Sequence, residues 1–288
     1  MQRCNLCGGT TWKTRERHGA TRVVECRCGL VFVTPVPSRG VIEAAYQDDY
    51  YEAWQAQGSA RRRMWERRAD LVDEVAGTAG RLLDVGCGDG TFLRTAQKHG
   101  WRVVGTELSR IAVERSKDVQ LSQGEVWEAA FPASSFDVVT SWHVIEHAGD
   151  PMRMAREMNR LLTPGGWLIL ATPNVNDYIF RVGYAAGRLR WPTLYEADER
   201  ELHLYHFSES TLVRLLAEAG FTEIRTGFDE GAATVPSKRA VNRLAHAWYR
   251  LTGVNWGIGL LVVARKPTAM PSDQEDNYVS TQRAASEE

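Results

Sequence analysis

Leu82-Leu83-Asp84-Val85-Gly86-Cys87-Gly88-Asp89-Gly90-Thr91 is an apolar run that breaks into glycines at alternate positions, with an acid two places ahead of the first. A continuous apolar run suits a strand covered on both faces. The glycines let the turn approach a ligand closely. The N–H groups at the start of the following helix, expected over 91–99, favour a negative group such as a carboxylate. The next strand, Val103-Val104-Gly105-Thr106, ends at Glu107, 21 residues after Gly86. An acid there can accept both hydroxyls of a ribose.

Outward from this stretch, short apolar runs at 82–85, 103–105, 136–140, 167–171 and 258–264 alternate with helical patterns at 91–99, 109–117, 152–162 and 208–219. That rhythm predicts crossover units on a parallel sheet. Thr163-Pro164-Gly165-Gly166 is expected to end one helix and turn into the strand 167–171. A strand-like run at 222–228 and a helix at about 238–251 complete this region. Upstream, two short strands, 23–26 and 30–33, flank a Cys-Gly turn, and Ser38 to Ala76 has helical spacing. The polar tail from Pro267 lacks apolar periodicity and is expected to be disordered.

Two cofactor types fit the glycine turn. A nicotinamide dinucleotide goes with G-x-G-x-x-G, whereas this chain has G-x-G-x-G. Its pyrophosphate would also meet Asp84 and Asp89, and like charges repel at short range. S-adenosylmethionine carries an ammonium and a sulfonium, which acids attract, and a carboxylate for the helix start. The charge pattern prefers it. An NAD-dependent oxidoreductase of similar layering is the alternative.

Over roughly residues 76–266 the chain resembles the class I S-adenosylmethionine-dependent methyltransferases. Leu82–Gly90 matches the first motif, Glu107 follows the second strand, Phe136-Asp137-Val138-Val139 matches the fourth strand, and Leu162-Thr163-Pro164-Gly165-Gly166 precedes the fifth. Trp142-His143-Val144-Ile145-Glu146-His147 and His203-Leu204-Tyr205-His206-Phe207-Ser208 resemble the subfamily that includes ubiquinone-pathway O-methyltransferases and enzymes acting on natural products and glycans. The resemblance implies an α/β, Rossmann-like fold: a mostly parallel seven-stranded sheet with helices on both faces, plus a small cysteine-rich β module. It implies that Asp84 and Gly86 line the methionine end of the cofactor, Gly88 belongs to the same binding turn, Glu107 holds the ribose, Leu108 packs on the adenine and Glu125 lies beside it. The acceptor is then a small molecule or a glycan or natural-product precursor, with oxygen, nitrogen and carbon all open as the methylated atom.

A sulfonium methyl is already activated, so the protein must align a nucleophile and, for a hydroxyl or carbon acid, take a proton. Four of the seven histidines, His143, His147, His203 and His206, fall in pocket segments. His143 and then His206 are the candidates for general base; a structural or hydrogen-bonding role competes for each. Cys87, between two glycines, is read as a packing residue. Residues 174–202 form an insertion rich in aromatics and carrying Arg181, Arg188 and Arg190. It is either a substrate lid or a helical hairpin with a solvated basic face.

Cys4, Cys7, Cys26 and Cys28 cluster in the first 28 residues. Without a secretion signal such clustering suggests metal before disulfide. Cys4-Asn5-Leu6-Cys7 has the spacing of a zinc knuckle, while Cys26-Arg27-Cys28 is one residue short of it. A structural zinc ion held by four thiolates is expected. Some methyltransferases of sugar and natural-product pathways look similar, with a zinc ribbon, a proline-rich connection and a tyrosine-rich helix, here Tyr46, Tyr50 and Tyr51.

The organisation expected is a zinc-ribbon-like module over 1–36, a helical connector over 37–76, a cofactor-binding domain over 77–267 and a tail over 268–288. A formal net charge of -1 gives no global pull towards nucleic acid. Arg61-Arg62-Arg63 with Arg67-Arg68 keeps a ribbon-assisted nucleic-acid role as a second alternative, although nearby acids argue for a solvated mixed-charge helix. No apolar stretch reaches membrane-spanning length and no signal peptide is evident, so a cytoplasmic protein is expected. Oligomeric state is not legible.

Overall fold

The computed structural model describes residues 2–45, 58–188, 192–195, 202–231 and 236–268. Tyr46, Tyr50, Tyr51, Arg190 and Trp191, and nearly all of the tail, lie outside the described residues.

The larger of two sheets has seven strands. They are β4 (Arg81–Val85), β5 (Arg102–Glu107), β6 (Leu121–Gln123), β7 (Phe136–Trp142), β8 (Leu162–Pro173), β10 (Thr222–Phe228) and β11 (Gly259–Arg265). Their order is β10-β11-β8-β7-β4-β5-β6. The ladders from β6 to β8 are all parallel, and β11 alone runs against its neighbours β8 and β10. This is the mostly parallel seven-stranded sheet that the alternation of apolar runs and helical patterns predicts.

Strand residues point to opposite faces by turns, so a strand covered on both sides must be apolar throughout. Leu83, Val85, Val139, Leu168 and Leu170 enter one core, with α5 (Pro151–Leu161) and α7 (Glu209–Glu218). Leu82, Val138, Ile169 and Ala171 enter the other, with α2 (Gly58–Ala76) and α3 (Thr91–Lys98). Asp150 caps α5 by accepting from the Arg153 amide, and Ser208 and Thr211 form a capping box on α7.

Three elements depart from the sequence reading. Thr163–Gly166 lies inside β8, because Leu162 already pairs with Phe136 and the Gly166 carbonyl accepts from Lys266. Strand β6 has only three residues at the sheet edge, too short for a pattern. Strand β1 (Trp12–His18) alternates between half-buried and exposed polar residues and has no apolar signature.

β1 belongs to a second sheet with β2 (Thr21–Cys26), β3 (Val31–Thr34) and β9 (Tyr205–His206), in the order β1-β2-β3-β9. The cysteine segment is therefore hydrogen-bonded to the strand that follows the 174–202 insertion. Phe32 stacks on Tyr205 and meets Trp12 edge-on, all within the core that contains α5 and α7. Asn5 joins the two parts again, donating to Asp150 and accepting from the Met152 amide.

Of the basic run on α2, Arg68 turns inward. It donates to both carboxylate oxygens of Asp229 at 3.2 and 3.3 Å and stacks 4.4 Å over Trp142. The run is thus not a single exposed basic face. Removing one partner of a buried ion pair strands the other charge. Arg68→Met should therefore cost about 3 kcal/mol in denaturant unfolding. The exposed Arg62→Met should stay within about 0.5 kcal/mol.

Candidate functional site

The carboxyl ends of β4, β5 and β7 open onto a cleft whose wall includes Asp84, Gly86, Gly88, Glu107, Leu108, Glu125 and His143. The position follows from topology. Parallel strands β5-β4-β7 send their connections out on the same edge, and open α/β sheets bind ligands there. The structure thus gathers every residue expected around the cofactor into one cleft. His206 is not among the lining residues; it sits on β9 in the smaller sheet.

The turn after β4 is shaped by close contacts. Gly86 has φ +70°, and a Cβ there would come within 2.4 Å of Val144. The amides of Gly86 and Cys87 both donate to the Thr106 carbonyl. Cys87 packs against Gly105, where a Cβ would stand 2.5 Å from its sulfur. The cysteine is buried, and burial pushes its thiol up, which fits packing and not nucleophilic chemistry.

Asp84 is 2% exposed. Burial raises its pKa to about 7, against the Thr140 hydroxyl donating at 2.7 Å and the more distant Arg68; Glu107 adds to the rise. Glu107 is held rigidly, one oxygen accepting from the Gly88 amide and the other from the Ser109 amide, both at 2.8 Å. Burial also raises Glu125, with Glu128 and Glu107 contributing. The carboxylates of Asp84, Glu107 and Glu125 thus share the cleft wall with the cationic side chains of Arg61 and His143.

His143 has an unusual backbone, φ +58°, held by its amide donating to Ala171. Its Nε2 lies 2.9 Å from Asp229 and its Nδ1 3.6 Å from Glu146. Burial opposes its charge, but the two carboxylates outweigh burial and raise its pKa to about 9. Glu146 falls to about 2: burial acts against the fall, and His143 and His147 overcome it. Asp229 is held well below the ordinary carboxylate range, since Arg68 and His143 outweigh its burial. Arg68, Asp229, half-buried His143 and Glu146 thus form one chain of alternating charge. Burial, with His203 nearby, lowers His206 to about 3 and leaves it neutral.

Asp229 and Arg68 escaped the sequence reading. Asp229 directly follows the strand-like run 222–228, but nothing local marks it as the partner of a residue 86 positions earlier.

At the other end of the chain, the four cysteine sulfurs lie within 4.8 Å of one another. Cys4 and Cys28 sulfurs are 3.6 Å apart, those of Cys7 and Cys26 3.5 Å, and no disulfide joins them. Four thiolates on a tetrahedral zinc ion with bonds near 2.3 Å would be about 3.8 Å apart. The short Cys26-Arg27-Cys28 spacing therefore does not keep the second pair away.

The family described as a methyltransferase domain matches residues 57–226, more than half of the chain. A ubiquinone biosynthesis O-methyltransferase of Thiobacillus denitrificans is 33% identical over 174 residues, covering 56% of this chain and 73% of that protein. One of the same description from Pseudomonas paraeruginosa is 34% identical over 127 residues, covering 40% of this chain and 55% of that protein. The chain thus spans only about half the length of some curated relatives. A crystal structure of an S-adenosylmethionine-dependent methyltransferase from Archaeoglobus fulgidus has the same fold, with TM-score 0.52 at 15% identity, covering 76% of this chain and all of that one.

The charged chain around His143 has a direct readout. In NMR titration of the ligand-free protein the His143 imidazole should stay protonated up to about pH 9. Asp229→Asn should move its midpoint down towards the ordinary histidine value. A midpoint near 6.5 in the parent would contradict the geometry.

Proposed function

Because the chain belongs to the class I S-adenosylmethionine-dependent methyltransferases, we propose that it transfers the donor's methyl group to a small-molecule acceptor, with a hydroxyl oxygen as the first candidate for the methylated atom. One observation carries this reading. Two buried carboxylates, Asp84 and Glu107, stand at the ends of adjacent parallel strands beside a glycine turn. That arrangement disfavours a pyrophosphate and suits a cationic nucleoside. The O-methyltransferase relatives support the acceptor class.

The bound donor supplies an activated methyl group. Asp84 and Gly86 would face its methionine end, Gly88 would bring the turn's backbone against it, Glu107 would accept from its ribose hydroxyls, and Leu108 and Glu125 would flank the adenine. His143 stands at the cleft as a cation, so we assign it to holding and orienting the acceptor and not to taking its proton. His206 supports the wall from behind as a neutral imidazole. The helix α6 (Tyr178–Arg188), within the 174–202 insertion, supplies no residue of the cleft wall, and we assign it to a cover over the acceptor.

Binding of the donor should depend on pH with a definite sign. Asp84 in the free protein is protonated below about pH 7, and a cationic ligand requires the carboxylate. The Kd for S-adenosylmethionine should therefore weaken as pH falls through 7, approaching tenfold per pH unit for one linked proton. Asp84→Asn should bind about 10- to 100-fold more weakly, as expected for losing a charged hydrogen-bond partner, and should show no such slope between pH 6 and 8. Calorimetry checks both. Equal affinity in parent and variant would sink the reading.

We also propose that Cys4, Cys7, Cys26 and Cys28 hold a structural zinc ion. The paired sulfur distances support it, and four protein thiolates leave no open position for catalysis. Protein purified without chelator should carry about one zinc equivalent bound by these four thiolates, lost in Cys26→Ser together with thermal stability. Less than half an equivalent in the parent would contradict the assignment.

A further inference from the structure

The charged side chains of the cleft wall are sorted by sign. Asp84, Glu107 and Glu125 stand at the ends of β4 and β5 and just after β6. Arg61 and His143 come from the other side of β4, from α2 and from the turn after β7. Among the described residues, no carboxylate joins the wall there. The acids are assigned to the methyl donor, so the positive side falls to the acceptor.

The pattern of α2 explains how that charge arrives. Arg61, Trp65 and Arg68 are spaced four and three positions apart, so they share one helix face. The helix packs against β7 and β8. Trp65 and Trp142, the last residue of β7, are buried side chains of the cleft wall. The Arg68 guanidinium lies over both indoles, at 5.0 and 4.4 Å. That of Arg61 stands 5.4 Å from the Trp65 ring. The two arginines meet different surroundings. Arg68 is bonded to Asp229 and stays behind the wall, whereas half-buried Arg61 is part of it. His143 commits its Nε2 to Asp229, so it supplies charge while Arg61 supplies N–H groups. The indole N–H groups of Trp65 and Trp142 are buried and meet no hydrogen-bond acceptor among the described residues. Indole and guanidinium N–H groups can only donate. This side of the cleft therefore combines positive charge, flat apolar faces and hydrogen-bond donors.

We propose that the acceptor carries a carboxylate or phosphate group, held by Arg61 beside the two tryptophans. A guanidinium stacked on an aromatic ring keeps its plane, and its fork of N–H groups matches the paired oxygens of either anion. The acidic group is a handle and not the methylated atom. As the acceptor's hydroxyl oxygen bonds the methyl carbon, the carbon–sulfur bond breaks and the hydroxyl proton passes to water. The products are S-adenosylhomocysteine and a methyl ether that keeps its negative charge. The proposal rests on the methyltransferase reading.

A small-molecule extract of the source cells is divided on an anion exchanger at pH 7. Each fraction is incubated with the protein and methyl-labelled S-adenosylmethionine. The expected result is a labelled product from the retained fraction, itself retained on the exchanger. Phosphatase treatment of that product distinguishes the two anions: a phosphate handle is lost together with retention, and a carboxylate handle persists. Arg61→Gln should raise the acceptor KM roughly 10- to 100-fold, as expected for losing a charged hydrogen-bond partner. Arg61→Lys should raise it less. Both variants should keep a cooperative melt and the parent's Kd for S-adenosylmethionine. Two results would overturn the proposal and leave the methyltransferase reading standing: labelled product from the unretained fraction only, or an unchanged acceptor KM in Arg61→Gln. A parent protein that binds no S-adenosylmethionine would sink that reading, and this proposal with it.

Discussion

A carboxylate sealed at the end of a two-sided buried strand must find positive charge or give up its own. Asp84 is in that position. Both faces of β4 are packed against apolar layers, so water does not solvate the group, and the Thr140 hydroxyl and the distant Arg68 compensate only in part. Glu107, one strand away, adds negative charge instead of relieving it. The cleft is therefore tuned for a ligand that is positive where it meets β4 and offers hydroxyls where it meets β5. The double-sided packing that makes the fold also raises the energy of the empty site, and a cationic ligand recovers that energy on binding.

The opposite wall solves the same problem internally. Arg68, Asp229, His143 and Glu146 alternate in sign, so each buried charge has a partner. They come from α2, the end of β10 and the loop after β7. Their mutual attraction therefore also joins distant parts of the chain around the cleft. The cysteine-bearing sheet reaches the same place from another side. The Val33 amide donates to the Leu204 carbonyl, and the Leu204 amide donates to the Glu146 carbonyl. Two consecutive hydrogen bonds thus separate β3 from the acidic residue at the centre of this wall.

Most of the larger sheet was legible because its signal is local. Runs such as Leu82–Val85 and Val138–Thr140 are buried on both faces, and that condition writes itself into consecutive residues. The cofactor side of the cleft was legible for a related reason: Asp84, Gly86, Gly88 and Glu107 sit at strand ends that such runs locate. What escaped notice depends on pairing across the chain. β1 has no apolar pattern because one side faces solvent and the other is only half-buried. The pairing of β3 with β9 joins residues about 175 positions apart. The charge on His143 is set by Asp229, which no spacing rule connects to it. The shortened cysteine pair stands beside the first all the same, in a turn where the Gly29 amide donates to the Cys26 carbonyl.

The central claim is that S-adenosylmethionine binding supplies the positive charge that Asp84 lacks. Carboxyl carbon-13 NMR at pH 6.5, with the signal assigned from its loss in Asp84→Asn, tests it most directly. The account predicts a largely protonated Asp84 in the free protein that becomes ionised when S-adenosylmethionine is added. An Asp84 already ionised before addition, or one that stays protonated at saturation, would contradict it.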